Sequence, residues 1–246
     1  MATKVLVAGA AGAIGRRLCP LLTTAGYAVY GTTRKPDTAA ALSSVGVTPV
    51  VVDVFDAARL SMALAQIRAE IVIHQLTDLS GGLDPDNMEA TIRRNARVRT
   101  EGTRNLTKAA TDAGARRLIA QSIAWMYAPG LEPHREDDPL DVSATGMRAV
   151  SVGGVAALEE SVLGAQMLEG MVLRYGHLYG PGSGADSPGD DGSVYVHVDA
   201  AAHAALIATT RGQRGVYNIT ESSAYATSEK AEREIGWSAG FRSRGG

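Results

Sequence analysis

The sequence of 246 residues is poor in cysteine, in aromatic side chains and in net charge. Its single cysteine, Cys19, excludes an internal disulfide bond, and its position among the apolar residues of a predicted helix indicates a core residue. The formal net charge of −2 lacks the basic surplus typical of proteins that bind nucleic acid or anionic membranes. No apolar run is long enough to span a bilayer. We therefore expect a globular protein without nucleic-acid or membrane partners.

Several kinds of site are also missing from the sequence. The histidines, cysteines and carboxylates show no metal-ligand spacing, and the nucleophile pattern G-x-S-x-G does not occur. A glycine motif that begins at Gly9 leaves no room for a signal peptide before it. We expect a cytoplasmic protein with no metal site.

The most informative feature is a G-x-x-G-x-x-G motif between an apolar strand and an amphipathic helix. Gly9 allows a tight turn, Gly12 leaves room for a pyrophosphate beside the backbone, and Gly15 lets the helix pack on the sheet. The first helical N–H groups, at Ala13 and Ile14, would face the phosphates. The motif predicts dinucleotide binding; the alternative is a glycine-rich turn in another kind of α/β protein.

Strand-like and helix-like segments alternate along the chain, as a parallel sheet requires. After the glycine motif we predict strands at 27–32, 47–52, 71–73, 117–120, 170–175 and 216–219, and one long helix at 87–113. The fold class is therefore α/β, a doubly wound parallel (Rossmann) sheet with a reduced C-terminal substrate-binding region. We divide it into a dinucleotide-binding domain, 1–170, and a small C-terminal region, 171–246, interleaved with the last strands. A Gly- and Asp-rich stretch, 180–193, is predicted to be a surface loop.

These segments together resemble the extended short-chain dehydrogenase/reductases, the NAD-dependent epimerase/dehydratase family. The resemblance covers nearly the whole chain and rests on the glycine motif, Asp53, Ser122 and the segments 95–106, 174–182, 197–199 and 230–237. It implies an NAD(P)-dependent oxidoreductase or epimerase/dehydratase-like enzyme. The substrate would be a small organic or sugar-like molecule with a hydroxyl or carbonyl group. The resemblance leaves open whether the protein forms a homodimer.

The resemblance also implies which residues hold the cofactor. Arg34 follows strand two, where an acidic residue would bind the ribose hydroxyls of NAD; a guanidinium there favours the 2′-phosphate of NADP. The alternative for Arg34 is a solvated charge, so NAD remains open. Asp53 would bind the adenine amino group or, alternatively, cap the next helix. Val54 and Leu76 are predicted to line the cofactor, and Asn95 to lie near the active site.

The residues expected to carry out catalysis differ from those usual in the family. Its usual pair is a tyrosine followed four residues later by a lysine. The lysine lowers the pKa of the tyrosine, whose phenol passes a proton to or from the substrate oxygen. No tyrosine or lysine occurs between positions 128 and 170. We therefore predict that Ser122 and Tyr127, after strand five, handle the proton, helped by His177.

The missing pair leaves two further functions open. The chain could bind the dinucleotide without turnover, as a sensor or regulator resembling the family's NmrA-like members. It could also catalyse a non-redox reaction, such as dehydration or cyclisation, on the same scaffold.

Overall fold

The fold is built on one parallel sheet of seven strands, in the order β3-β2-β1-β4-β5-β6-β9. The computed structural model describes residues 2–78 and 87–243. The strands of this sheet are β1 (Lys4–Ala8), β2 (Ala28–Thr33), β3 (Thr48–Val51), β4 (Ile71–His74), β5 (Arg117–Ile123), β6 (Glu169–Tyr175) and β9 (Gly215–Ile219). The order reverses between β1 and β4, which is the point where doubly wound sheets bind ligands. The predicted fold class is confirmed.

Helices cover both faces of the sheet. They are α1 (Ala13–Thr24), α2 (Pro36–Ser44), α3 (Ala57–Ile67), α4 (Met88–Arg97), α5 (Thr103–Asp112), α6 (Gly146–Gly164), α7 (Val198–Ile207) and α8 (Glu229–Ile235). One core cluster joins the sheet to α1, α7 and α8, and a second joins it to α3, α5 and α6. Strand β1 contributes to both clusters, because successive side chains of a strand point to opposite faces of the sheet. Val5 and Val7 pack in the first cluster, and Leu6 and Ala8 pack in the second.

The long helix predicted at 87–113 is interrupted in the structure. Helices α4 and α5 are joined by a five-residue π-helical turn, Val98–Gly102. Hydrophobic periodicity could not detect this turn, because it adds one residue per turn without breaking the apolar face. Strand β5 also runs to Ile123, three residues beyond the predicted end. That extension places Ser122 inside the strand.

The C-terminal part contributes to the main sheet as well as to a small appendage. Strands β7 (His177–Tyr179) and β8 (Tyr195–His197) form a separate two-stranded parallel sheet. The segment 180–193 between them contains no helix or strand and is largely exposed, as predicted for a loop. Among the described residues, no helix combines the length and apolarity needed to cross a membrane, and no His, Cys, Asp and Glu residues group as metal ligands would.

Candidate dinucleotide and substrate site

The three motif glycines are required for different reasons. Gly9 has a φ of 90°, and a Cβ atom there would lie 2.5 Å from the carbonyl oxygen of Gln75. A Cβ at Gly15 would lie 2.3 Å from the carbonyl oxygen of Gly9. At Gly12, by contrast, the nearest described atom would be the Gly9 oxygen at 3.3 Å, and φ and ψ of −74° and 176° suit any residue. The fold itself therefore requires Gly9 and Gly15 but leaves the space beside Gly12 open.

Helix α1 begins directly at this open space. In the described part of the chain no side chain caps its N-terminus. The amide groups of Ala13, Ile14 and Gly15 belong to the first turn, where helical N–H groups lack partners within the helix. Such a helix end favours an anion, both through its N–H groups and through the helix dipole. The arrangement fits a diphosphate.

A cavity of about 280 Å³ opens above the ends of strands β1 to β4. Six of the predicted cofactor residues line it: Gly9, Gly12, Arg34, Asp53, Val54 and Leu76. The predicted residues thus lie around one space, although they come from four separate parts of the sequence.

The β2 end of this cavity is positively charged. Arg34 and Lys35 line it, both side chains are exposed, and neither forms an ion pair with another described residue. Opposite them, Asp53 accepts a hydrogen bond from the amide of Phe55 at 2.9 Å through Oδ1. The helix-capping alternative for Asp53 is wrong, because Asp56 caps α3 by accepting from the amide of Arg59.

Asn95 lies beside the cavity rather than in its wall. Its side-chain oxygen accepts from the amide of Asp78 at 3.0 Å, and its side-chain nitrogen donates to the Asp78 carbonyl at 3.1 Å. Asp78 itself lines the cavity. The predicted cofactor residue Asn95 is therefore reassigned to holding the chain that leaves β4.

His74 and Gln75, at the end of β4, have different surroundings. His74 is fully buried, its Nε2 lies 2.9 Å from Oγ1 of Thr103, and its Nδ1 accepts from the amide of Leu76. Burial lowers the pKa of His74 to about 4, so the ring is neutral. Gln75 lines the cavity, and its buried Oε1 has no hydrogen-bond partner among the described residues. A buried carboxamide oxygen without a partner fits a site that a polar ligand completes.

The Ser122 hydroxyl forms a hydrogen bond with a buried ion pair. Its hydroxyl donates to Oε1 of Glu159 at 2.9 Å, and Glu159 receives Nε and Nη2 of Arg174 at 2.9 and 2.7 Å. All three side chains are buried. A hydroxyl in this position satisfies a buried carboxylate and cannot also reach a substrate. We therefore reassign the predicted catalytic residue Ser122 to support of the Glu159–Arg174 pair.

Tyr127 is also a structural residue. Its phenol donates to the side-chain oxygen of Asn218 at 2.6 Å, and its ring lies against the ring of His134 and beneath the guanidinium of Arg174. Burial raises the pKa of Tyr127 to about 12. The phenol is thus inaccessible and a weak acid, which overturns the prediction that it donates the catalytic proton.

His177 is the predicted catalytic residue that stays accessible. Its ring is half-buried and stacks on Trp125, with centroids 3.8 Å apart and an interplanar angle of 16°. The Tyr195 ring lies 5.7 Å away. Burial lowers the pKa of His177, so the imidazole is neutral at pH 7. Trp125, which sequence reasoning passed over, is the stacking partner that covers one face of this histidine ring.

Helix α6 is where the family carries its tyrosine and lysine. Its side facing β5 is apolar, since Val152 and Val155 are buried in one cluster with Ile123 and Met126. No phenol or ammonium group occurs on α6. Helix α6 therefore carries neither of the two residues with which the family moves a proton.

Comparison with known proteins identifies the family to which the chain belongs. The sequence model of the NAD dependent epimerase/dehydratase family matches residues 5–209. The chain belongs to this family. It is accordingly an NAD(P)-dependent enzyme of the oxidoreductase and epimerase type, and the predicted resemblance is confirmed.

Two curated relatives are reductases of Streptomyces. The chain is 38% identical over 237 residues to a 3-diazoavenalumate denitrifying reductase of a Streptomyces species, covering 89% of this chain and 76% of the relative. It is 30% identical over 177 residues to a dTDP-4-dehydrorhamnose reductase of Streptomyces griseus, covering 72% of this chain and 50% of the relative. The chain thus spans about half the length of the second relative.

Solved structures share the fold at low sequence identity. A UDP-glucose 4-epimerase of Thermotoga maritima with UDP-glucose gives a TM-score of 0.75 at 18% identity, covering 96% of this chain and 93% of that one. A UDP-glucose 4-epimerase of Thermus thermophilus in complex with NAD gives a TM-score of 0.69 at 24% identity, with coverages of 96% and 84%. At this identity the likeness shows the fold alone.

Proposed function

We propose that this chain is an NAD(P)H-dependent reductase that removes a diazo group from a small aromatic acid as N2. The 38% identical relative supports this proposal by its name, which specifies a denitrifying reduction of a diazo compound. The observation that carries the proposal is the α6 surface facing β5, which holds valines and neither of the residues, tyrosine and lysine, that the family carries on this helix.

The absence of tyrosine and lysine from α6 bears on which of two kinds of reduction the enzyme catalyses. Hydride addition to a carbonyl group leaves an alkoxide, which needs a proton, and the family's tyrosine and lysine supply it. Reduction of an aryl diazonium ion needs no added proton. The C–N bond breaks, N2 leaves with the electrons of that bond, and the ring carbon keeps the hydrogen delivered as hydride. The net reaction joins one cation and one hydride to give two neutral molecules. A helix α6 without the family's tyrosine and lysine fits the second reaction better than the first.

The cavity supports NADPH as the hydride donor. When bound, the reduced nicotinamide supplies the hydride. The open face at Gly12 and the uncapped start of α1 would hold the diphosphate, and Arg34 with Lys35 would bind the 2′-phosphate. Asp53, with a carboxylate oxygen beyond the one that accepts from Phe55, would bind the adenine amino group. NAD, which the Thermus thermophilus enzyme holds, remains the alternative cofactor.

The substrate side is formed by the stacked rings of Trp125 and His177. A planar aromatic molecule would gain offset stacking on an outer face of this pair. The neutral imidazole adds no charge that would repel a diazonium cation. These residues would therefore orient the substrate, a role for His177 that differs from the predicted help with proton transfer.

A matched pair of substrates tests the proposed function. An aryl diazo acid and the aldehyde with the same ring and carboxylate are each incubated with enzyme and NADPH, and absorbance at the nicotinamide band is followed. We expect NADPH oxidation with the diazo acid and not with the aldehyde. Oxidation with the aldehyde alone would support carbonyl reduction, the activity named for the 30% identical relative. Tight cofactor binding without turnover on any substrate would favour the sensor or non-redox function.

A further inference from the structure

The π-helical turn between α4 and α5 carries a cation without a partner. Arg99 is partly buried, and in the described part of the chain its guanidinium forms no hydrogen bond and no ion pair. The other described cations that lack both kinds of partner, such as Arg34 and Arg104, are exposed. π-turns inside helices frequently occur at functional sites. Among the described residues, Arg99 is thus the arginine that is partly buried without a hydrogen bond or an ion pair.

Its neighbours on the same helical segment locate its backbone in the fold. The preceding residue, Val98, lines the cavity above the strand ends. Thr103, one turn later, lies 2.9 Å from His74 at the end of β4, and the positive charge of Arg99 contributes to the lowered pKa of that histidine. Arg99 therefore lies at the carboxyl edge of β4. This edge is on the nicotinamide side of the site, because the Gly12 loop and α1 stand at β1 and Arg34 follows β2.

Keeping this cation partly buried costs free energy. Burial lowers the pKa of the Arg99 guanidinium to about 10, which reflects lost hydration that no carboxylate replaces. By comparison, the buried guanidinium of Arg174 is paired with Glu159. A buried cation without a counter-ion is stabilised when a ligand brings the anion.

We propose that Arg99 binds the carboxylate of the substrate, an inference that rests on the proposed function. A guanidinium recognises a carboxylate through two parallel N–H···O bonds. Such a contact would anchor an aromatic acid at the β4 edge while its ring stacks on the outer face of the Trp125–His177 pair. The other anion that could reach the site is the cofactor diphosphate, for which the start of α1 already provides partners.

The proposal is tested by binding without turnover. Cinnamate, a planar carboxylate with no diazo group, is titrated by calorimetry into enzyme saturated with NADP+. The variant is Arg99→Met, and the matched control is Arg104→Met, which removes the same charge from an exposed position on α5. We expect cinnamate affinity to fall about tenfold or more in Arg99→Met and to stay unchanged in Arg104→Met. Affinity for the methyl ester of cinnamate should not change in either variant.

Three results would overturn the proposal. They are an equal loss in both variants, a loss of NADP+ affinity that exceeds the loss of cinnamate affinity, and no cinnamate binding by the parent enzyme. A thermal melt checks folding: because Arg99 is unpaired, Arg99→Met should melt at or above the parent temperature. Failure of diazo reduction with cinnamate binding intact would refute the proposed reaction and leave the anchor standing.

Discussion

The open space at Gly12 gives the sharpest test of cofactor binding. Replacing Gly12 with alanine adds one methyl group at a backbone conformation that alanine adopts freely, with its nearest described neighbour at 3.3 Å. We expect the free energy of unfolding to change by less than about 1 kcal/mol, since the reduced freedom of the unfolded chain offsets the close contact. The methyl group would occupy the place of the diphosphate.

The expected loss of binding follows from the contacts displaced. A charge-assisted hydrogen bond contributes about 1.5–3 kcal/mol, so losing one contact at the start of α1 weakens NADP binding roughly 10- to 150-fold. Isothermal calorimetry measures this loss, and a urea titration measures stability. Unchanged NADP affinity in Gly12→Ala would refute the assignment of this loop to the diphosphate.

Gly153→Ala is the matched control. It adds the same methyl group on α6, where no described atom beyond the adjoining residues and the helix itself lies within 4 Å. Alanine is favoured over glycine inside a helix by about 1 kcal/mol, so this variant should be more stable and bind NADP as the parent does. Gly9→Ala should instead fail to fold well, because its Cβ would lie 2.5 Å from a backbone oxygen.

Three further predictions concern the charged and buried groups. Arg34→Ala should weaken NADP binding about tenfold or more while leaving NAD nearly unchanged; equal losses would show that Arg34 does not contact the 2′-phosphate. Tyr127→Phe removes the hydrogen bond to buried Asn218, so the free energy of unfolding should fall by about 1–3 kcal/mol with turnover retained; a large loss of turnover at normal stability would restore Tyr127 as a catalyst. His74 has a folded pKa of about 4, below the ordinary 6.5, so its contribution to stability is complete above pH 6.5 and is lost as the pH falls towards 4. Urea midpoints of the parent and of His74→Asn, measured across this range, should converge at low pH, and parallel curves would contradict the neutral buried ring.

The parts of the molecule that sequence reasoning predicted are those set by local patterns. The glycine motif, the alternation of strands and helices and the charge after β2 each depend on neighbouring residues, and each lies where expected. The cavity then brings these local features together, because parallel strands end at one edge of the sheet.

The catalytic residues could not be predicted in the same way. Ser122 pairs with Glu159, 37 positions away, and Tyr127 pairs with Asn218, 91 positions away. A hydroxyl next to a strand end is compatible with catalysis or with a buried contact, and only the distant partner decides between them. Trp125 and Arg99 were missed because their importance also depends on distant residues. Trp125 stacks on His177, and Arg99 lacks a partner among the residues that the structure describes.

The stoichiometry of nitrogen release tests the central claim most directly. A diazo acid labelled with 15N is incubated with enzyme and limiting NADPH in a sealed vessel, and the labelled gas is measured by mass spectrometry against the NADP+ formed. We predict one N2 for each NADP+, together with the aromatic acid that carries hydrogen in place of the diazo group. NADP+ formed without N2, or N2 released at the same rate without NADPH, would contradict the account.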